Sequence, residues 1–215
     1  MLLREKIYQK IRDDITKGRL LPGERLLESK FAKEFNCSHT PIREALRQLE
    51  SEGLILFERN KGVTIRKISI QEIDEIYCIL PLLEGCAARL STAQANRNDV
   101  VYLRGLHHKL MRATKKNDLT QWILINMEFH NFFIEHARNE TLSQTLNNLK
   151  LRIYPYRHIT IRIPGHLEKH GAYHKKILEG YEAKDGQRAE KYMRLHLEAV
   201  GEELMNYLKE SLMVS

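Results

Sequence analysis

Strand-like alternation of apolar and polar residues is confined to one short region of this 215-residue chain, and helical periodicity governs almost all of the rest. Two alternating runs, LILFE and VTIRKI, lie between residues 54 and 68 and are separated by RNKG. Their length and the glycine between them predict a β-hairpin. Amphipathic helical repeats precede the hairpin, so the first third of the chain is predicted to form a compact unit of three helices and a hairpin.

The predicted helices before the hairpin have recognisable ends. The first covers residues 2–17, and a short second helix, ESKFAKEF, follows the turn segment GRLLPGERL. The third helix begins at Ser38 or Thr40, whose hydroxyls suit a capping position, and Pro41 is tolerated in its first turn. Gly53 is a typical C-terminal stop. This order of helices predicts a helix-turn-helix that is followed directly by a hairpin wing.

Strand signals end at residue 68, and amphipathic helices are predicted from there to the end of the chain. Pro81 is expected to kink or divide the first of them. The predicted helices cover residues 69–94, 98–116, 119–137, 141–159, 166–184 and 186–211. The fold class is therefore mainly α, with a winged helix-turn-helix domain at 1–68 and an antiparallel bundle of six helices, or seven if Pro81 splits the first, at 69–215.

Charge is concentrated in the first predicted domain. The net charge of the whole chain is +7, of which residues 1–68 contribute +5 and residues 69–215 contribute +2. This distribution favours an anionic partner for the first domain. The three cysteines form no CxxC pair, no apolar run reaches the length of a membrane span, and the N-terminus MLLREKIYQKI is charged. These features predict a cytoplasmic protein with no membrane partner.

The segment CSHTPIREALRQLE, residues 37–50, supplies the helix that a winged helix-turn-helix places in the major groove of DNA. Arg43 can present its guanidinium group to guanine O6 and N7, and Arg47 lies one turn further along on the same side. The remaining predicted contacts to phosphates and base edges are Ser38, His39 and Thr40 at the start of this helix, and Lys61 and Gly62 at the tip of the wing.

The order of these residues resembles the winged-helix domain of the GntR family of bacterial transcription regulators. The family pattern G-x-L-x-P-G, L-x-E, S-R-T-P-V-R-E-A-L, E-x-E-G-L and G-x-x-V is followed over most of residues 18–65 by GRLLPGERLLESKFAKEFNCSHTPIREALRQLESEGLILFERNKGVTI. The resemblance implies that a homodimer binds a pseudo-palindromic double-stranded DNA operator, with Ser38, Thr40, Arg43 and Gly62 at DNA-contacting positions. His39 replaces the usual arginine, which predicts an operator that differs from the family norm at one base pair.

The remainder of the chain resembles the FCD effector domain of the FadR subfamily. The resemblance is carried by LLEGCAARL (82–90), NMEFHNFFIEHARN (126–139), YHKKILEGYEAKD (173–185) and MRLHLEAV (193–200). In many members Asp, His, His and His occupy metal-binding positions that correspond here to Asn126, His130, His174 and His196. Asn126 and His130 lie one helical turn apart on one face. Three imidazoles and one amide oxygen suit a divalent transition metal ion, Zn or Ni, with room for water or an effector carboxylate. The alternative is that these histidines are ordinary bundle residues.

The same resemblance implies a small-molecule effector, an organic acid, bound at or near the metal. Leu80 replaces the arginine that heads the family motif R-x-x-L-E and commonly meets an acidic effector, and Arg152 and Arg157 are the predicted substitutes. Two alternatives are a metal-dependent enzyme and a purely structural dimerisation domain. Glu128 lies on a different helical face from the predicted ligands, and no HExxH, GxSxG, GxGxxG or P-loop pattern occurs. The sequence therefore predicts a DNA-binding transcription regulator, a repressor, and no enzyme.

Overall fold

The computed structural model describes residues 2–58 and 62–213. The chain divides into two compact units. One unit comprises residues 1–69 together with the short segment 150–155, and the other comprises 70–149 and 156–215. The inclusion of segment 150–155 in the first unit was not indicated by the sequence, which gives a single boundary near residue 69.

Three helices and a three-stranded antiparallel sheet make up the N-terminal unit, apart from segment 150–155. The helices are α1 (Leu3–Thr16), α2 (Glu28–Glu34) and α3 (His39–Ser51), and the strands are β1 (Arg25–Leu26), β2 (Ile55–Glu58) and β3 (Gly62–Ile65). The strand order is β1-β3-β2, with Leu26 opposite Val63 and Ile55 opposite Ile65. The hairpin β2–β3 lies where it was predicted, whereas the two-residue strand β1 was missed because it is too short to show alternation.

The core of the N-terminal unit follows from the helical spacing of its apolar residues. Ile7 and Ile11 are fully buried on α1, and Ile42, Leu46 and Leu49 are fully buried on α3. Helices α1 and α3 contact each other through these faces. Each fully buried aliphatic side chain stabilises the fold by about 1.5–3 kcal/mol relative to an exposed one. The opposite face of α3 therefore does not contribute to the core.

The start of α3 differs in one detail from the sequence prediction. Ser38 occupies the N-cap position with an extended backbone, but its side chain makes no capping hydrogen bond. Pro41 stands in the first turn, as expected, since amides there have no helical partner to lose. Asn36 adopts a left-handed conformation at φ 47°, which reverses the chain between α2 and α3. The Ser38 hydroxyl therefore does not cap the helix.

The second unit consists of helices within the part of the chain that the structure describes. They are α4 (Ile70–Thr92), α5 (Arg97–Lys116), α6 (Leu119–His136), α7 (Glu140–Ile153), α8 (Arg157–Thr160), α9 (His166–Glu182) and α10 (Gly186–Met213), of which α7 ends inside segment 150–155. Helix α4 packs along α10, and α10 also packs against α9. Among the described residues, no helix combines the length and apolar character that crossing a bilayer requires.

The proline prediction at Pro81 and the predicted helix over 141–159 both need correction. Pro81 lies inside the uninterrupted helix α4, and the expected division there does not occur. Both Leu80 and Pro81 are buried, so packing offsets the roughly 3 kcal/mol that a proline costs inside a helix. The predicted helix over 141–159 is instead broken around Pro155, where a 3-10 turn, Tyr154–Tyr156, separates α7 from α8. The seventh helix of the bundle therefore arises at Pro155.

Candidate DNA-reading surface and metal centre

The outer face of α3 carries the predicted DNA-reading side chains. His39, Arg43 and Arg47 follow one another at intervals of four residues and are all exposed, as are Ser38 and Thr40. This exposure follows from the spacing, because the buried residues of α3 occupy the opposite side of the helix. The structure therefore brings these five predicted residues to one accessible surface at and beyond the helix start.

A carboxylate lies between two of these side chains. Arg43 Nε donates to Glu28 Oε2 at 2.9 Å, and His39 Nδ1 lies 3.2 Å from the same oxygen. Burial by itself raises the pKa of Glu28, but the hydrogen bonds from Arg43 and His39 together lower it below its ordinary value. Glu28 thus orients both side chains before any ligand binds. The sequence places Glu28 in the L-x-E motif, yet that motif alone did not identify it as a site residue.

Two lysines extend the positive surface towards α2. A depression of about 820 Å³ lies beside the start of α3, and its lining includes Lys30, Lys33, Ser38 and His39. Both lysines are exposed and lie one turn apart on α2. Ammonium groups beside a hydroxyl suit phosphate oxygens. These lysines were not predicted from the sequence, although their i,i+3 spacing on a short basic helix was a usable signal.

The wing contributes a glycine in a left-handed conformation. Gly62 has φ 81°, a region that other residues rarely adopt, and it is exposed at the first position of β3. A Cβ atom at this position would lie 3.4 Å from Nη2 of Arg25, so a guanidinium group stands beside the backbone here. Lys61, the other predicted wing contact, lies outside the described residues.

Three of the four predicted metal ligands converge inside the helical unit. His130 Nε2 on α6 lies 3.1 Å from His196 Nε2 on α10 and 3.4 Å from His174 Nε2 on α9. The exposed fractions of these three residues are 1%, 2% and 0% respectively. Tetrahedral zinc sites with Zn–N bonds of about 2.0–2.1 Å separate their ligand nitrogens by about 3.3 Å. The observed spacing therefore matches what one divalent ion requires.

Burial keeps His174 and His196 in the neutral form, which is the form that can bind a metal ion. It lowers the pKa of His174 and of His196 well below the ordinary value, and the neighbouring histidines lower both further. A protonated imidazole has no lone pair on either nitrogen, so only the neutral ring can be a ligand. Both side chains are therefore neutral at physiological pH without any change of structure.

Glu84 holds the ring of His130. Its Oε2 lies 2.6 Å from His130 Nδ1, and both side chains are 1% exposed. The Glu84 carboxylate can accept a hydrogen bond from Nδ1, and a neutral His130 then has its lone pair on Nε2, which faces His174 and His196. Carboxylate–histidine pairs of this kind fix the ring orientation of metal ligands. The contact of Glu84 with His130 was not predicted from the sequence, although Glu84 is a charged residue that follows the buried apolar residues Ile73, Ile76 and Leu80 on α4.

The amide of Asn126 is buried one turn before His130 on α6. Asn126 is 6% exposed, and its Oδ1 has no hydrogen-bond partner among the described residues; the same holds for Nδ1 of His174. Buried polar atoms without partners are costly and call for a ligand or water. Three imidazoles and a neutral amide oxygen would form a donor set that fits a borderline ion such as Zn²⁺ or Ni²⁺.

A second polar cluster adjoins the first and was not predicted. Glu203 Oε2 accepts from His166 Nδ1 at 2.6 Å and lies 3.1 Å from His170 Nε2, while Glu203 Oε1 accepts from Lys169 Nζ at 2.7 Å. Burial by itself raises the pKa of Glu203, but these three donors together lower it far below its ordinary range. The signal available in the sequence was the spacing of four residues between His166, His170 and His174 on α9.

The two arginines predicted to bind an effector fall in different compact units. Arg152 belongs to the N-terminal unit, where burial and the nearby charge of Arg66 lower its pKa. Arg157 belongs to the helical unit, where its charge opposes the rise that burial causes in the pKa of Tyr77. Arg157 therefore lies in the same unit as the histidine cluster, and Arg152 does not.

Two protein families match separate stretches of the chain. Residues 75–199 match the FCD domain family, and residues 3–65 match the family described as bacterial regulatory proteins, gntR family. An uncharacterised HTH-type transcriptional regulator of Bacillus subtilis, YdhC, is 28% identical over 95% of this chain and 92% of its own length. The HTH-type transcriptional repressor RspR of Escherichia coli is 24% identical over 97% of this chain and 92% of its own length. The solved structure of E. coli McbR/YncC superposes with a TM-score of 0.84 at 25% identity over 99% of both chains.

Proposed function

The chain belongs to the GntR family of bacterial regulators and carries an FCD domain, and from this premise we propose that it is a dimeric, metal-dependent repressor in the bacterial cytoplasm. Membership of the family makes it a DNA-binding transcription regulator with an effector domain, and not an enzyme. The proposal concerns the finer points, namely the DNA contacts, the dimer, the metal, the effector and the sign of regulation.

The outer face of α3 is proposed to read the operator. Arg43 and Arg47 would contact base edges in the major groove, while Ser38 and Thr40 would bind phosphate oxygens. His39 stands where the family usually has an arginine, and its shorter side chain would contact the DNA in place of that arginine. Gly62, with Lys61 beside it, would let the wing backbone approach the DNA. Two copies of the chain would present these surfaces to the two halves of a pseudo-palindrome.

The observation that carries the metal proposal is the convergence of three buried imidazole nitrogens on one point. His130, His174 and His196 come from three different helices, and their Nε2 atoms lie 3.1 Å and 3.4 Å apart. Such polar atoms are seldom gathered in a core without a partner that compensates for their burial. A Zn²⁺ or Ni²⁺ ion would be held by these three nitrogens and by Asn126 Oδ1. When bound, the ion would supply open coordination positions for an acidic effector.

An organic acid is the proposed effector. Its carboxylate would meet the ion, and Arg157 would supply a positive charge within the same unit; Arg152 belongs to the other unit and is a weaker candidate. Regulation requires that this acid bind the DNA-competent and the DNA-incompetent arrangements with different affinities. The sign of regulation rests on similarity to RspR, which is described as a repressor.

Metal analysis of protein purified without chelator tests this proposal. We expect close to one zinc or nickel ion per chain, and we expect Asn126→Asp to bind it more tightly because an anionic ligand replaces a neutral one. Operator affinity is then measured with and without the metal and a panel of organic acids. If no metal is found, none is taken up, and no acid changes operator affinity, the helical domain only dimerises the protein.

A further inference from the structure

A chain of polar contacts leads from the proposed metal ligands outward. His196 Nε2 faces His130 at 3.1 Å, while on the other side of the same ring Nδ1 lies 2.9 Å from His170 Nδ1. His170 Nε2 in turn lies 3.1 Å from Glu203 Oε2. Glu203 also lines a surface cavity of about 450 Å³. The order from the core to the surface is therefore His196, His170, Glu203.

Helical geometry holds these three side chains in sequence. His170 and His174 lie one turn apart on α9, and His196 and Glu203 lie two turns apart on α10. Helices α9 and α10 pack against each other, which brings the facing side chains His170 and His196 into contact. His170 is 0% exposed and His196 is 2% exposed, so solvent does not supply alternative partners for their shared contact.

The positions of the protons follow from Glu203. Its carboxylate accepts a hydrogen bond from the Lys169 ammonium group and another from the His166 ring, and an ionised carboxylate accepts hydrogen bonds but never donates them. His170 must therefore donate from Nε2. A neutral imidazole carries one N–H, so His170 Nδ1 is an acceptor. The proton in the 2.9 Å contact must then come from Nδ1 of His196.

We propose that His170 and Glu203 are positioning residues that hold His196 with its proton on Nδ1 and its lone pair on Nε2, directed at His130 and His174. The proton arrangement stands on the hydrogen-bond geometry alone. Its use in binding an ion rests on the proposed function. In that use, Glu203 acts on the metal through two successive imidazoles, as Glu84 acts directly through His130.

This arrangement explains why a cation suits the first cluster. A neutral His130 that donates an Nδ1 hydrogen bond to Glu84 also presents a lone pair at Nε2. Two lone pairs then face each other across 3.1 Å with no proton between them, and that contact is repulsive until a positive ion binds both. The two carboxylates thus prepare the site from opposite sides.

The same arrangement excludes a second ion at His166, His170 and Glu203, although their ligand atoms lie within 4.8 Å of one another. An ion on His170 Nε2 would displace the proton there to Nδ1. That proton would point at His196 Nδ1 and would force the proton of His196 onto Nε2, where it would block the first site. With neutral imidazoles, one chain can therefore load one cluster or the other.

Nitrogen NMR of the full-length, metal-free chain with labelled histidines reads the proton positions directly. We expect His196 to be protonated on Nδ1 and His170 on Nε2, and we expect Glu203→Gln to convert His170 to a mixture of both forms. A metal-free His196 that carries its proton on Nε2 overturns the proposal. This measurement decides the proton arrangement even if the chain binds no metal, in which case the proposed function alone fails.

Zinc titration against a chromophoric chelator then separates a positioning role from direct ligation. His170→Leu removes the acceptor for His196 Nδ1 and should weaken zinc binding by roughly 10–100-fold. His170→Asn places an amide oxygen close to the position of Nδ1, so binding should stay within a few-fold of the parent. Both changes remove His170 from the second cluster, His166, His170 and Glu203, so a difference between them cannot come from that cluster. The control is Glu202→Gln, an exposed neighbour of Glu203, which should leave binding unchanged.

Three results would contradict the positioning role in the loaded protein. Uptake of two zinc ions per chain would show that the second cluster is itself a metal site. Equal weakening by His170→Leu and His170→Asn would show that His170 is a ligand. Unchanged binding in both His170→Leu and Glu203→Gln would show that His196 needs no partner on Nδ1.

Discussion

The two units use histidine in opposite ways. In the N-terminal unit His39 stands at the helix start with its side chain 52% exposed, and no core packing depends on it. In the helical unit His130, His174 and His196 are at most 2% exposed and fill the centre of the bundle. A change at His39 leaves the packing of the core intact. A change at a buried histidine alters the core, because its ring is part of it.

Each unit also pairs its functional side chains with a glutamate, and the surroundings decide what that pairing contributes. Glu28 is 22% exposed and meets Arg43, which is 64% exposed, so salt screens the pair and it contributes about 0–1 kcal/mol. Glu84 and His130 are both 1% exposed, and removal of either leaves a buried polar group without that partner. Loss of the glutamate that orients a side chain therefore changes the free energy of unfolding little at the surface and more in the core.

The largest expected effect is the loss of metal-dependent stability in His130→Ala. With free zinc at 1,000 times its dissociation constant, the parent should gain about 4 kcal/mol in the free energy of unfolding. The variant should gain almost nothing, because the central ligand is missing. Urea unfolding followed by fluorescence of Trp122, the single tryptophan, which is buried in the helical unit, measures this gain.

The control for that experiment is His108→Ala, since His108 is an exposed histidine of the same unit. It should keep the full zinc-dependent gain. Equal gains in the parent and His130→Ala would remove the contrast between the two units, because the buried histidines would then be ordinary core residues.

The next effect is a loss of stability of the metal-free helical unit in acid. Burial lowers the pKa of His170 to about 4 and lowers those of His174 and His196 well below 6.5. Between pH 6.5 and 4 the unfolded chain therefore binds protons that the folded chain excludes, and stability falls as pH falls. The slope should be about 1.4 kcal/mol per pH unit for each such histidine.

Trp122 fluorescence in chelator-treated protein measures this slope. His170→Asn should reduce the slope by the contribution of one histidine, since an amide does not titrate. A stability that is flat from pH 6.5 to 4.5 would mean that the buried histidines accept protons in the folded state.

At the surface, Arg43→Ala should cost about 1–3 kcal/mol in operator binding and relax the preference at one base pair. The free energy of unfolding should change little, because Arg43 has no packing role. Lys30→Ala is the comparison, and it should weaken binding evenly across DNA sequences and reduce the salt dependence. If Arg43→Ala destabilises the protein as much as it weakens binding, the surface and the core do not differ as described.

The smallest effect is expected for His39→Arg, which should shift the preferred base towards guanine with no change in stability. Selection of binding sites from random DNA by the parent and the variant measures the shift. Recovery of the same site by both proteins would show that His39 does not read a base.

Sequence patterns by themselves predicted most of the elements of this protein, and the family resemblance identified the candidate ligands. Apolar residues at helical spacing predicted the helices α1 and α3, and the alternating runs predicted the strands β2 and β3. The exposed residues of α3 were predictable because a helix that buries one face must expose the other. The pairing of β1 was not, because two residues carry no periodicity.

Only the tertiary structure decided how the polar core is organised. Periodicity states which face of a helix a side chain occupies, but not which residue on another helix it meets. Glu84, His170 and Glu203 acquire their roles through contacts with residues 46, 26 and 33 positions away, which depend on how α4, α6, α9 and α10 pack. Pro81 and Pro155 illustrate the same limit. Each removes one backbone donor, yet the helix continues at Pro81, where the packing of α4 offsets that loss, and stops at Pro155.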